Sequence, residues 1–248
     1  MTSKLPSVIY HQLDDLIERP EIDHIANAAT SVLDKGHLTS IVNAFFVNTK
    51  ICVNGVPYIK VKGLSGILRT GNSGAERPLI YQGMANILSP AEIIEIDGEE
   101  HISGPSLRAI LDTRIAFADG RTKQYLRVSM QAYERIITLS QVSDLKELFL
   151  DDIRNNRPLL KNQRIAEYNV THCEFSMKIF NNNSEVEFAH IESVITQPLL
   201  ALDIDNGVII LKSIHRELTS QRIHGYEELY NFCIKNKYST SWGKLKPD

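Results

Sequence analysis

Residues 187 to 218 read EFAHIESVITQPLLALDIDNGVIILKSIHREL. His190, Asn206 and His215 surround two short apolar runs there, and Asn206-Gly207 opens the second. The apolar residues are too few in a row for a membrane span, and the turn residues too many for a single helix. An imidazole, with an unperturbed pKa of about 6.5, can take a proton from water near neutral pH or ligate a metal through a neutral nitrogen. Asp203 and Asp205 flank the same turn, either as turn formers or as a source of oxygen ligands. Such groups suit hydrolysis by an activated water beside a divalent cation.

Those side chains need elements to hold them. "EYNVTHCEFSMKIF" and "VEFAHIESV" have β-like patterns with "NNNSE" as the turn between them. "GVIIL" reads as a strand, followed by a helix from about Ser213 whose polar face carries Arg216, Glu217 and Gln221. "GYEELYNFCIKNKYS" reads as a final helix with Leu229, Phe232 and Cys233 on one face; His224 is expected to cap or pack at its start. Trp242, the only tryptophan, is expected in the core.

Upstream, the first fifty residues read as helical and acidic, with Leu13, Leu16 and Ile17 on one face. From about 45 to 130 the pattern is mainly β, with hairpins expected at Asn54-Gly55, Asp97-Gly98 and Asp119-Gly120. "SMQAYERIITLS" and "SDLKELFLDDIRNN" read as helices, the latter capped by Ser143. "RNNRPLLKNQRIAEY", polar, basic and interrupted by Pro158, reads as a linker.

The chain has 248 residues, 43% hydrophobic and 23% charged, ordinary values for a globular protein of one or two domains. No transmembrane run is present, and the first residues lack the long apolar core of a secretory signal. The three cysteines form no CxxC pair, which argues against a disulfide framework or a cysteine zinc cage. A cytoplasmic protein is the expectation. The net charge of -3 argues against non-specific coating of nucleic acid, but local charge matters more for a specific reader. Lys50, Lys60, Lys62, Arg69 and Arg77 stand against one acid, Glu76, and Arg154, Arg157, Lys161 and Arg164 stand against none. Both stretches are candidate phosphate contacts, with solvated loop surface as the alternative.

Three features of the region from about 170 to 220 resemble the HNH nucleases: His190 before Ile191 at the end of an apolar strand, Asn206 opening the next strand, and His215 nine residues later near a helix start. The resemblance implies a ββα-metal module, two strands and a helix around one divalent cation. It implies His190 as general base and His215 as metal ligand. Asn206 would hold the loop and so orient His190, or touch the metal directly. Two positions depart from the family. Many members have His or Asp just before the base, where this chain has Ala189, so a usual ligand is absent. The four cysteines that brace some members with zinc are missing too, and no structural zinc is expected.

The expected architecture is therefore α+β: a mixed α/β recognition and dimerisation region over 1–155, then a ββα-metal nuclease domain over 165–248 with a trailing helix. The expected activity is sequence-specific cleavage of double-stranded DNA with Mg²⁺ or Mn²⁺, one ion per site, by a homodimer of the type II restriction kind. Lys60, Lys62, Arg69, Arg77, Arg154, Arg157, Lys161, Arg164 and Arg216 are the expected DNA contacts. Asp205 is the expected compensating ligand if Ala189 has left the site short. The alternatives are a DNA-binding protein on a degenerate HNH scaffold, impaired by Ala189, and a homing-type endonuclease. A secreted nuclease toxin is disfavoured by composition.

Overall fold

A computed structural model describes residues 9–245 apart from residues 30 and 73. The first eight residues of the stretch read for a secretory signal lie outside the described residues. The contacts divide the chain into two units, Ile9–Phe149 and Leu150–Asp248. Among the described residues no helix is long and apolar enough to cross a membrane.

The first unit carries a five-stranded antiparallel sheet in the order β1-β2-β3-β5-β4. β1 is Tyr10–Gln12, β2 Thr49–Cys52, β3 Pro57–Lys60, β4 Ile93–Ile96 and β5 Glu99–Ser103. The helices are α1 (Leu13–Leu16), α2 (Pro20–Ala29), α3 (Lys35–Asn48), α4 (Leu64–Leu68), α5 (Arg77–Tyr81), α6 (Gly104–Phe117) and α7 (Gly120–Ile137). Helix α8 (Ser140–Asn156) runs through the division between the units. The core joins Leu38, Ile41 and Phe45 of α3 to Ile51 and Ile59 of the sheet and to Leu126 and Ile136 of α7.

Two expected hairpins are present. Asp97 and Gly98 both have positive φ, +52° and +74°, as a two-residue turn between right-twisted strands requires. At Asn54-Gly55 only Gly55 enters the left-handed region, at φ +76°. The third is not a hairpin. Asp119 sits at the N-cap position of α7 and Gly120 opens that helix. Its flanks bury Leu107, Ile110 and Leu111 on one side and Tyr125, Leu126 and Ser129 on the other, steps of three and four that belong to helices. The region from 45 to 130 thus holds only short strands, and its longest elements are helical. Ser143 lies inside α8 rather than at its cap.

In the second unit, α9 (Leu160–Glu167) precedes the antiparallel pair β6 (Val186–His190) and β7 (Gly207–Leu211), then α10 (Lys212–Ser220) and α11 (Tyr226–Lys235). The expected linker is instead the end of α8, a 3-10 turn and α9, because Leu160 and Arg164 are buried. "EYNVTHCEFSMKIF" forms only an isolated bridge, His172 to Ile179, since the chain turns tightly where Met177 N–H meets the Cys173 carbonyl. Cys173 and Phe175 enter the core from that turn, with Trp242 tilted against Phe175 at 5.4 Å.

Candidate active site

Alternation along β6 and β7 gives the pair two faces. Ala189, Val208 and Ile210 pack with Ile214 and Leu218 of α10, while Val186 and Ile209 pack with Val170 on the other side. The register pairs Val186 with Leu211 and His190 with Gly207. α10 begins directly after β7, so its first turns return over the strands. By alternation His190 belongs to the face opposite α10, but it ends β6, and there it lines one cavity together with His215 of α10. That cavity measures ≈ 300 Å³, and its walls include Arg157, Ala189, Ser193, Thr219 and His224 beside the two histidines.

Each of the two histidines is held by one ring nitrogen. His190 Nε2 lies 3.0 Å from the Ala201 carbonyl. A carbonyl only accepts, so Nε2 carries the proton and Nδ1 keeps its lone pair. The Phe188 ring meets the imidazole edge-to-face at 5.0 Å. Burial pushes the His190 pKa below its ordinary value, and the Arg157 and His215 charges push the same way against the Ala201 hydrogen bond. On the facing helix, His215 Nδ1 lies 2.5 Å from Glu187 Oε2, with Glu187 one pleat before Ala189 on the α10 side of β6. Donation from Nδ1 to that carboxylate leaves the lone pair on Nε2, a pairing that fixes the tautomer of many metal-binding histidines.

Asn206 is 6% exposed and ties the loop between the strands. Its Oδ1 accepts from Glu192 N at 2.8 Å, and its Nδ2 donates to the Glu192 and Leu200 carbonyls, each at 3.1 Å. Gly207 has φ -161°, ordinary extended backbone, so the Asn-Gly pair is not a left-handed turn. The glycine is needed for room: a Cβ there would lie 2.0 Å from the Phe188 ring.

Behind the loop, Arg164 is 1% exposed and occupied on every side. Its Nε and Nη2 grip the Glu174 carboxylate at 3.0 and 2.7 Å, Nη1 donates to the Ile204 carbonyl at 2.7 Å, and the guanidinium lies 4.9 Å from the Tyr168 ring centre. Glu174 Oε2 in turn accepts from Ile209 N at 2.5 Å. The expectation that Arg164 contacts phosphate is therefore corrected: a guanidinium sealed against a carboxylate and a carbonyl cannot reach DNA. Asp205 is corrected too. It accepts a hydrogen bond from Tyr168, lies 3.9 Å from Arg164 and is not among the cavity walls. That bond to Asp205 is the main cause holding the Tyr168 pKa up at about 12. Asp203 caps the turn by accepting from Asp205 N at 2.8 Å. Ala189, 3% exposed, is committed to the apolar packing under α10.

The other candidate phosphate contacts fall in several environments. Lys60 is paired with Glu99 at 2.7 Å, and Lys50 with Asp97. Arg69 contacts His37 Nδ1 at 3.0 Å and lies over the Tyr125 ring. Lys62 and Arg77 are exposed in the first unit. Arg154 is exposed and paired with Asp151 at 2.6 Å, while Lys161 donates to the Asn183 carbonyl at 3.0 Å. Arg216 is exposed on α10 with Nε 3.3 Å from the Lys212 carbonyl. Arg157 is the exposed one of the set that lines the histidine cavity.

Sequence reasoning missed Glu187 and expected His224 only to cap or pack at the start of the last helix. The strand period of two was the available signal for Glu187: it shares a face with Ala189, the position that lacks a ligand. Among the described residues no group of three or more His, Cys, Asp or Glu side chains gathers as a metal site. The donors are the His215 imidazole backed by Glu187, and the His224 imidazole in the same walls. A hard cation such as Mg²⁺ prefers oxygen ligands, so imidazole nitrogens alone would hold it weakly. Comparison with protein-family models, with curated proteins and with solved structures gave no match.

Proposed function

We propose that the chain is a metal-dependent endonuclease of the HNH type acting on double-stranded DNA. The observation that carries this reading is the complementary fixing of two histidines on one cavity. His190 presents Nδ1 as an acceptor, and His215 presents Nε2. His190 Nδ1 would take a proton from water as the water oxygen bonds to phosphorus and the P–O ester bond breaks. Its lowered pKa keeps the ring neutral and able to accept at pH 7. His215, oriented by Glu187, would hold the cation, with His224 of the same cavity walls as a further donor. A bound Mg²⁺ or Mn²⁺ would stabilise negative charge on the phosphate and on the leaving oxygen. Arg157, exposed at the cavity wall, would hold the scissile phosphate or a neighbour. Cutting both strands would call for a two-fold homodimer.

The test is incubation of the purified protein with plasmid and phage DNA in Mg²⁺, Mn²⁺ or EDTA. Discrete fragments that need metal and are lost in His190→Ala support the reading. A smear supports a non-specific nuclease, and intact DNA under every condition rejects cleavage. One observation favours the second reading, a DNA-binding protein without cleavage: Ala189 is packed into the core and leaves the strand without a ligand beside the base.

A further inference from the structure

We infer that α7, rather than the sheet of the first unit, is the element that reads duplex DNA. This rests on the nuclease reading only for the identity of the partner. Helix α7 carries Arg121, Lys123, Arg127 and Arg135 against a single acid, Glu134, in a chain whose net charge is -3. Arg121, Gln124, Arg127 and Gln131 are all exposed and follow one another at steps of three and four, so they form one outward stripe. Ten residues of helix rise roughly 15 Å, the span of about four base-pair steps, and an α-helix fits the major groove.

Side-chain type supports base reading as well as charge. Arg matches the O6 and N7 edge of guanine and Gln the N6 and N7 edge of adenine, each through two hydrogen bonds. Among the described residues no carboxylate pairs with Arg121 or Arg127. The acids on the helix itself are Asp119 at the N-cap and Glu134, which Arg108 holds at 3.6 Å. The sheet differs: Lys50 and Lys60 are neutralised by Asp97 and Glu99 of the neighbouring hairpin. The opposite face of α7 is rigidly seated. Leu126, Ala132 and Ile136 are buried in the core, Ser129 Oγ donates to the Ile67 carbonyl at 2.8 Å, and α2, α3, α4 and α6 all pack on it. A reading stripe on such a helix is presented without ordering cost to the backbone.

The experiment is fluorescence anisotropy of the full chain with a labelled random-sequence DNA duplex, in EDTA so that cleavage plays no part, from about 50 to about 200 mM salt, with the duplexes retained from that pool recovered and sequenced. Arg121→Ala/Arg127→Ala should weaken binding at least about tenfold and flatten the log–log salt slope by up to about 2. Gln124→Ala/Gln131→Ala should leave the slope unchanged but alter the sequences enriched from the pool. The double variant Lys60→Ala/Lys62→Ala should change the slope less than the arginine pair does. Parental slope and parental enrichment in both α7 doubles would overturn the inference, as would tighter binding of an RNA duplex through the same residues. α7-dependent binding with no cleavage under any metal would sink only the nuclease reading; metal-dependent cleavage with unaltered α7 variants would sink only this one.

Discussion

Asn206 offers the sharpest test of how the loop between β6 and β7 is held. Its amide satisfies one N–H and two carbonyls of that loop while itself almost fully buried. Asn206→Ala removes three hydrogen bonds, and at about 1 kcal/mol each the loss is about 3 kcal/mol, more if the orphaned carbonyls stay dry. Asn206→Asp is the more telling change. It keeps the acceptor for Glu192 N but turns a donor toward two carbonyl oxygens into a carboxylate oxygen, so it should be no more stable than the alanine form at pH 7. Trp242 is the only tryptophan and is buried in the core of the second unit, so its fluorescence reports the unfolding of that unit. With a urea m-value of about 1–3 kcal/mol/M, the midpoint should fall by about 1–3 M at unchanged m. The reasoning fails if Asn206→Asp unfolds at the parental midpoint at pH 7, because a carboxylate would then be facing those carbonyls at no cost.

Four further outcomes follow from the same contacts. Glu187→Gln should weaken metal binding by about 10- to 100-fold in a calorimetric titration, since the neutral amide no longer raises the basicity of the His215 ring; unchanged affinity would place the cation elsewhere. The folded pKa of His190 is lowered, so the folded chain binds its proton less readily than the unfolded chain; cleavage and this group's share of stability should be full above about pH 6.5 and decline as pH falls through the folded value, and a cleavage limb above pH 6.5 would name another base. Arg164→Met should cost about 3–5 kcal/mol by stranding the Glu174 carboxylate, read as a fall in the Trp242 transition, yet leave the salt slope of DNA binding unchanged. Ala189→Asp should destabilise the second unit because a carboxylate enters apolar packing, and a higher midpoint or tighter metal binding would show that the new carboxylate turns into the cavity that Ala189 lines.

Local signals carried a good part of the architecture. Asp97-Gly98 could be recognised because a two-residue turn demands two positive φ values, and GVIIL followed by a periodic helix could be recognised by its change of period. Asp119-Gly120 shows the limit: the same dipeptide opens a helix when its flanks repeat at three and four. His190, Asn206 and His215 were legible from type and spacing, and the structure brings both histidines to one cavity with Asn206 bonded across its loop. Arg164 was not legible, because only the tertiary fold places Glu174 and the Ile204 carbonyl around it; in sequence it is one more base in a basic run. Asp205 was misread for a similar reason, since its partner Tyr168 lies 37 residues away. Glu187 needed the strand's alternation to be followed one step further back from Ala189.

The arginine behind the loop also decides how portable the histidine site is. Arg164 links α9 to the turn before Asn206 and, through Glu174, to the Ile209 N–H of β7. A fragment cut at residue 165 would carry every cavity histidine and still lack the guanidinium that pairs with its half-buried Glu174. One cut near the division at residue 150 would keep the whole brace. As a transferable part, then, the strands and helix that hold the histidines travel only with the short helix ahead of them.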